Sequence, residues 1–81
     1  MKGLTRVPRR VRDKALEVEA MIDSGAAVHE FGGRRMRHNR TIIGVSLGRR
    51  WRMLVREVDG VLQAHSVLSH EDYSSRWGKP R

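Results

Sequence analysis

Three side chains carry the chemistry this sequence can offer: Arg52, His70 and Tyr73. Histidine titrates near neutrality and moves protons. Tyrosine donates a hydrogen bond or stacks on a base. Arginine presents a planar fork that matches a phosphate. Around them lies a run of cation. From Arg34 to Arg56 there are eight arginines, no lysine and no acid. Arg34, Arg35, Arg37, Arg40, Arg50 and Arg56 are therefore candidates for holding a nucleic acid or another acidic partner. Four histidines are present without the spacing of a metal site, so no metal is expected. No phosphate-binding glycine loop, nucleophile elbow or paired-carboxylate site is present, and no cofactor is expected.

The whole chain sets the frame. Its 81 residues allow one small domain, with an ordered core over 5–75 and a polar tail over 74–81 that frays beyond Trp77. The formal charge is +8, and arginine outnumbers lysine fourteen to three. Most of the excess lies between residues 25 and 60. There is no cysteine, which removes a disulfide scaffold and a thiolate nucleophile. No apolar run reaches membrane-span length, and MKGLTRVPRR lacks the apolar segment of a signal peptide, so a cytoplasmic protein is expected.

The elements follow from periodicity. Leu4 and Val7 make either a minimal edge strand or a cap on the core. Pro8 reads as the first position of a helix reaching about Ser24. Val7, Val11, Ala15, Val18 and Ile22 recur on one face. Gly25 ends it in the left-handed conformation. Ala26–Phe31 predicts a brief second helical turn, stopped by Gly32-Gly33. RRMRHN follows as a loop or the start of a strand, a basic arm over the sheet. Thr41–Leu47, Trp51–Val58 and Val61–Leu68 alternate as strands. The class is α+β: an N-terminal amphipathic helix, with a short second turn, packed on a three- to four-stranded antiparallel sheet.

Register separates the faces. A two-residue turn at Asp59-Gly60 pairs Val58 with Val61. It then sets Val55 opposite Ala64, Met53 opposite Ser66 and Trp51 opposite Leu68. At the other turn, a three-residue loop, Gly48-Arg49-Arg50, keeps Leu47 with Trp51, Val45 with Met53 and Ile43 with Val55. The helix is then expected to cover Ile43, Val45, Trp51, Met53, Val55, Ala64 and Leu68. The opposite face carries Arg52, Arg56, Leu54, Gln63 and His65 around a modest apolar floor. Ser69 is placed to cap a turn that holds His70, Glu71, Asp72 and Tyr73. Strand pairing sets Ser69 and His70 beside Arg50 and Arg52. Arg56 and His65 read equally well as solvated or functional.

The leading helix, the basic arm, GRRWRMLVREVDG and the closing VLSHEDY together resemble the RelE/ParE superfamily of bacterial toxins, most closely its short ParE-like branch. The resemblance covers about residues 7–73. It implies the toxin of a type II toxin–antitoxin pair, neutralised by a cognate acidic antitoxin. RelE-like members cut mRNA on the ribosome without metal and without a cofactor, as RNA-binding endoribonucleases that inhibit growth. ParE-like members block DNA gyrase. On the first pattern Arg52 would hold the phosphate, His70 would move the proton, and Tyr73 would stack or orient. The N-terminal strand and helical hairpin of the superfamily are shortened here to residues 1–31, and no lysine lies in the candidate site.

Overall fold

The computed structural model describes residues 1–75; of the polar tail expected over 74–81, residues 76–81 lie outside them. A 3-10 turn at Leu4–Arg6 leads into helix α1, Arg9–Asp23. A second 3-10 turn, Val28–Phe31, precedes strand β1, Gly33–Arg35. Strands β2 (Ile42–Ser46), β3 (Trp51–Val58) and β4 (Val61–Ser69) follow, and the one-turn helix α2 spans His70–Tyr73. The sheet runs β1-β2-β3-β4, every pair antiparallel. The chain is thus α+β, with four strands.

α1 forms because its apolar residues recur at three- and four-residue intervals. Val11, Ala15, Val18 and Ile22 are buried, and Val7 joins them from just before the helix. Burying an aliphatic side chain stabilises by about 1.5–3 kcal/mol. The surface ion pairs Arg9–Asp13, at 3.9 Å, and Lys14–Glu17, at 4.0 Å, are exposed and loose. Exposed pairs contribute about 1 kcal/mol at most, so packing holds the helix. Pro8 sits one position earlier than expected. Its ψ of 150° is extended, and its carbonyl accepts the first helical bond from Arg12 N–H at 3.0 Å. At the other end Gly25 adopts φ +87°, and Ala26 N–H reaches back to the Met21 carbonyl at 3.0 Å. That bond closes the helix by the Schellman pattern.

The two turns of the meander form as expected. Asp59 and Gly60 have φ of 53° and 81°, and Val58 pairs with Val61. Leu47 N–H donates to the Trp51 carbonyl across the three-residue loop, with Val45 opposite Met53 and Ile43 opposite Val55. α1 covers Ile43 and Val45 of β2 and Met53 and Val55 of β3, all four on the central strands.

The far half of β4 departs from expectation. Pairing slips between Leu54 and Val55, so Val55 faces Ala64 while Leu54 faces Ser66. His65 is the extra residue of a bulge. Met53 therefore lies opposite Val67, and Trp51 opposite Ser69, in place of the expected Ser66 and Leu68. The slip moves Val67 into the core under α1 and turns Leu68 to the Arg52 side. An apolar residue enters the core in place of a serine, which is the physical reason for the shift.

The arm takes the strand alternative of the two expected for it. GRR forms strand β1 on β2, with Arg34 opposite Gly44. Met36 then folds over the sheet and is buried with Ile42 and Leu54, with Tyr73 packed against them. The face away from α1 therefore has a small apolar core of its own, larger than the floor the alternation implied. Leu4–Arg6 is a 3-10 turn, and it is Lys2 that bridges to β4, parallel to Ser66.

Candidate functional site

The site lies on the face that α1 leaves uncovered. Alternation along β3 puts Arg52 on the same side as Leu54, and pairing sets Arg52 between Ser46 and Leu68. In the next row Arg34 lies opposite Gly44, which lies opposite Leu54. β4 runs straight into α2. Ser69 Oγ accepts the Asp72 N–H at 3.1 Å and starts the turn as its cap. His70 N–H donates to the Arg50 carbonyl at 2.6 Å, which pins α2 to the start of β3.

These constraints bring His70 to Arg52. Arg52 Nε donates to His70 Nδ1 at 3.4 Å, a long contact in which Nδ1 acts as acceptor. Tyr73 folds back over β2 until its hydroxyl touches the position a side chain on Gly44 would occupy. Burial raises the Tyr73 phenol above its ordinary value of 10.0, while the Arg52 charge pulls the other way. The phenol is a neutral donor at physiological pH.

Arg34, Ser46, Arg52, His70, Tyr73 and Ser74 line a cleft of about 430 Å³, floored by Gly44. Of the residues expected to act, Arg34, Arg52, His70 and Tyr73 meet there. Arg35 is engaged elsewhere: its Nη1 binds Glu57 Oε1 and the Arg40 carbonyl, each at 2.7 Å. Arg37, Arg40, Arg50 and Arg56 are exposed and do not line the cleft. Ser46 and Gly44 were not singled out in the sequence. A glycine inside an alternating strand does signal close approach of another group, and here that group is Tyr73. Among the described residues, no three His, Cys, Asp or Glu side chains gather as a metal-binding group.

Gly44 gives a direct test. In Gly44→Ala the added methyl collides with the Tyr73 hydroxyl and ring. Tyr73 must swing out, uncovering Leu54 and Ile42. We expect Tyr73 to become fully exposed, read as a fall in its titration midpoint towards that of free tyrosine by ultraviolet absorbance. An unchanged midpoint would contradict the packing.

His65, the bulge residue, lies outside the cleft, with Nδ1 3.1 Å from Ser66 Oγ. Burial, then the charges of Arg56, Lys2 and the amino terminus, lowers its pKa from 6.5. The unfolded chain therefore binds this proton first as pH falls. The contribution is complete above pH 6.5 and is lost as pH drops through the interval below it. Thermal denaturation should show stability declining below that point, and His65→Gln should flatten this part of the profile.

One helix laid on an antiparallel meander, with a basic cleft edged by histidine and tyrosine on the other face, defines a small α+β domain. A family model described as the ParE-like toxin domain matches residues 9–75. The chain belongs to that family, within the RelE/ParE superfamily. Membership makes it a toxin of a toxin–antitoxin system, with a cognate antitoxin as its implied partner. No curated protein and no solved structure matches it. No helix among the described residues is long and apolar enough to cross a membrane.

Proposed function

We propose that this toxin is a ribosome-dependent mRNA endonuclease that works without metal, in the cytoplasm, and is silenced by an acidic antitoxin. The observation that carries the reading is the meeting of Arg52, His70 and Tyr73 in one basic cleft. The 2′-hydroxyl of a bound nucleotide attacks the adjacent phosphorus. His70 Nδ1, whose contact with Arg52 is long, exchanges that contact for the substrate and takes the hydroxyl proton. Arg52 and Arg34 hold the phosphate oxygens as charge builds on them. Tyr73 donates a hydrogen bond to the same charge. The bond from phosphorus to the 5′-oxygen breaks, that oxygen receives the proton from the imidazolium, and a cyclic 2′,3′-phosphate remains.

The test is mRNA on purified ribosomes, with cleavage ends mapped after addition of the toxin. Cuts within the ribosome-bound codon, lost in His70→Ala, are the expected result. Intact mRNA would remove the reading. The second reading is a non-enzymatic inhibitor of DNA gyrase, and the match to a ParE-like model favours it. Inhibition of supercoiling, retained in His70→Ala, would establish that reading instead.

A further inference from the structure

A second cavity lies on the other side of α2. The first residues of the chain build it. Lys2 N–H donates to the His65 carbonyl at 3.0 Å, and Val67 N–H donates to the Lys2 carbonyl at 2.8 Å. Gly3 follows at φ +91°, pressed against the Val67 carbonyl so that no side chain fits. The 3-10 turn then brings Arg6 to the rim. The cavity has a volume of about 430 Å³, and Lys2, Arg6, Trp51, His65, Ser69 and Asp72 stand in its wall. Its partition from the first cleft is thin. Ser69 and Asp72 face this cavity, while His70 and Tyr73 face the other. Trp51 and Arg52 alternate along β3, so the two cavities open on opposite faces of the strand and meet at α2.

We propose that this cavity holds a second nucleotide of the bound RNA strand, with its base against Trp51 and its phosphate between Lys2 and Arg6. The inference rests on the reading of the toxin as an RNA-cutting protein. Single strands are held by cations that follow the backbone and by aromatic faces that stack the bases, and this wall supplies both. Among the described residues neither Lys2 nor Arg6 is in an ion pair, so both charges are available to a ligand. Asp72 supplies an acceptor for an amino group on the base edge, and Ser69 a hydroxyl for the sugar. The positive surroundings also act on His65, whose pKa is lowered first by burial and then by Arg56 and Lys2. The groove between α1 and the second 3-10 turn is walled by Glu17 and Glu30, which repel phosphate.

The experiment uses the full chain carrying Arg52→Ala and His70→Ala to prevent turnover, and Trp77→Phe to leave Trp51 as the sole tryptophan. The probe is a six-nucleotide single-stranded RNA, titrated at several salt concentrations. Binding is expected to quench Trp51 fluorescence. Adding Lys2→Ala and Arg6→Ala should raise Kd about tenfold and reduce the slope of log K against log salt by about 1–2. Arg9→Ala with Lys14→Ala, an equal loss of charge on α1 away from Trp51, should change Kd less than twofold. All four are exposed side chains, so folding is retained and is checked by circular dichroism. An unquenched Trp51, or equal effects of the two charge pairs, would overturn the site. A toxin that cuts ribosome-bound mRNA yet is indifferent to Lys2 and Arg6 loses only this site. One that binds RNA through them but never cuts loses the nuclease reading.

Discussion

On the nuclease proposal, Arg52→Ala should lower the rate of mRNA cleavage by about two to three orders of magnitude, the usual loss when one preorganised donor to developing charge is removed. The effect is large because Arg52 is fixed from both sides. Strand pairing holds its backbone between Ser46 and Leu68, and His70 Nδ1 receives its Nε. A group positioned before substrate arrives needs no reorganisation during the reaction. The thermal midpoint should stay nearly constant, since Arg52 is half-exposed and has no acidic partner among the described residues. Arg52→Lys should recover only part of the rate, because an ammonium keeps the charge and loses the fork. Single-turnover cleavage on programmed ribosomes reads all three. Equal rates for wild type and Arg52→Ala would remove Arg52 from the site.

Met53→Ala should produce the largest loss of stability. Met53 is 0% exposed, on the central strand β3, between Val45 and Val67 and beneath α1. Truncating a buried methionine to alanine costs about 2–5 kcal/mol. A domain of 81 residues has only about 4–12 kcal/mol in total at typical stability per residue. A domain this small should lose at least about 8 °C in Tm. Leu16→Ala, at a helix position 43% exposed, is the control and should change little. Urea titration of both variants would decide it, and a Met53→Ala midpoint within error of wild type would contradict the assigned core. Bound antitoxin would mask part of the loss by mass action, so the toxin should be measured alone.

Where one periodicity dominated, the sequence could be read directly. The α1 stripe from Val7 to Ile22 names the buried residues of the helix. Asp59-Gly60 fixes one turn by its need for positive φ, and Leu47 opposite Trp51 fixes the other. The bulge at His65 was not legible, because Ser66, Val67 and Leu68 fit either face nearly as well. Only three-dimensional packing under α1 selects Val67. β1 was half legible: GRR has no apolar alternation, and its pairing depends on backbone bonds to β2. The small core of Met36, Ile42, Leu54 and Tyr73 was hidden for another reason. Its members come from four separate segments, and no window of sequence contains more than one of them in pattern. The site was legible as residue types. Arg52, His70 and Tyr73 stand out by chemistry, and the order β3-turn-β4-α2 brings them together. Gly44 and Ser46 entered with the geometry.

The order of strands also sets a timetable for synthesis. α1 is made before any of the strands it covers. Its partners on β2 and β3 emerge next, and those on β4 emerge last. At about 5–20 residues per second α1 waits for about 1–4 seconds before its first partners on β2 are made. The cleft closes later still, because His70 and Tyr73 follow β4. A nascent chain that has reached β4 but not α2 carries Arg34 and Arg52 without His70 and Tyr73, so the cleft is incomplete until α2 has been made.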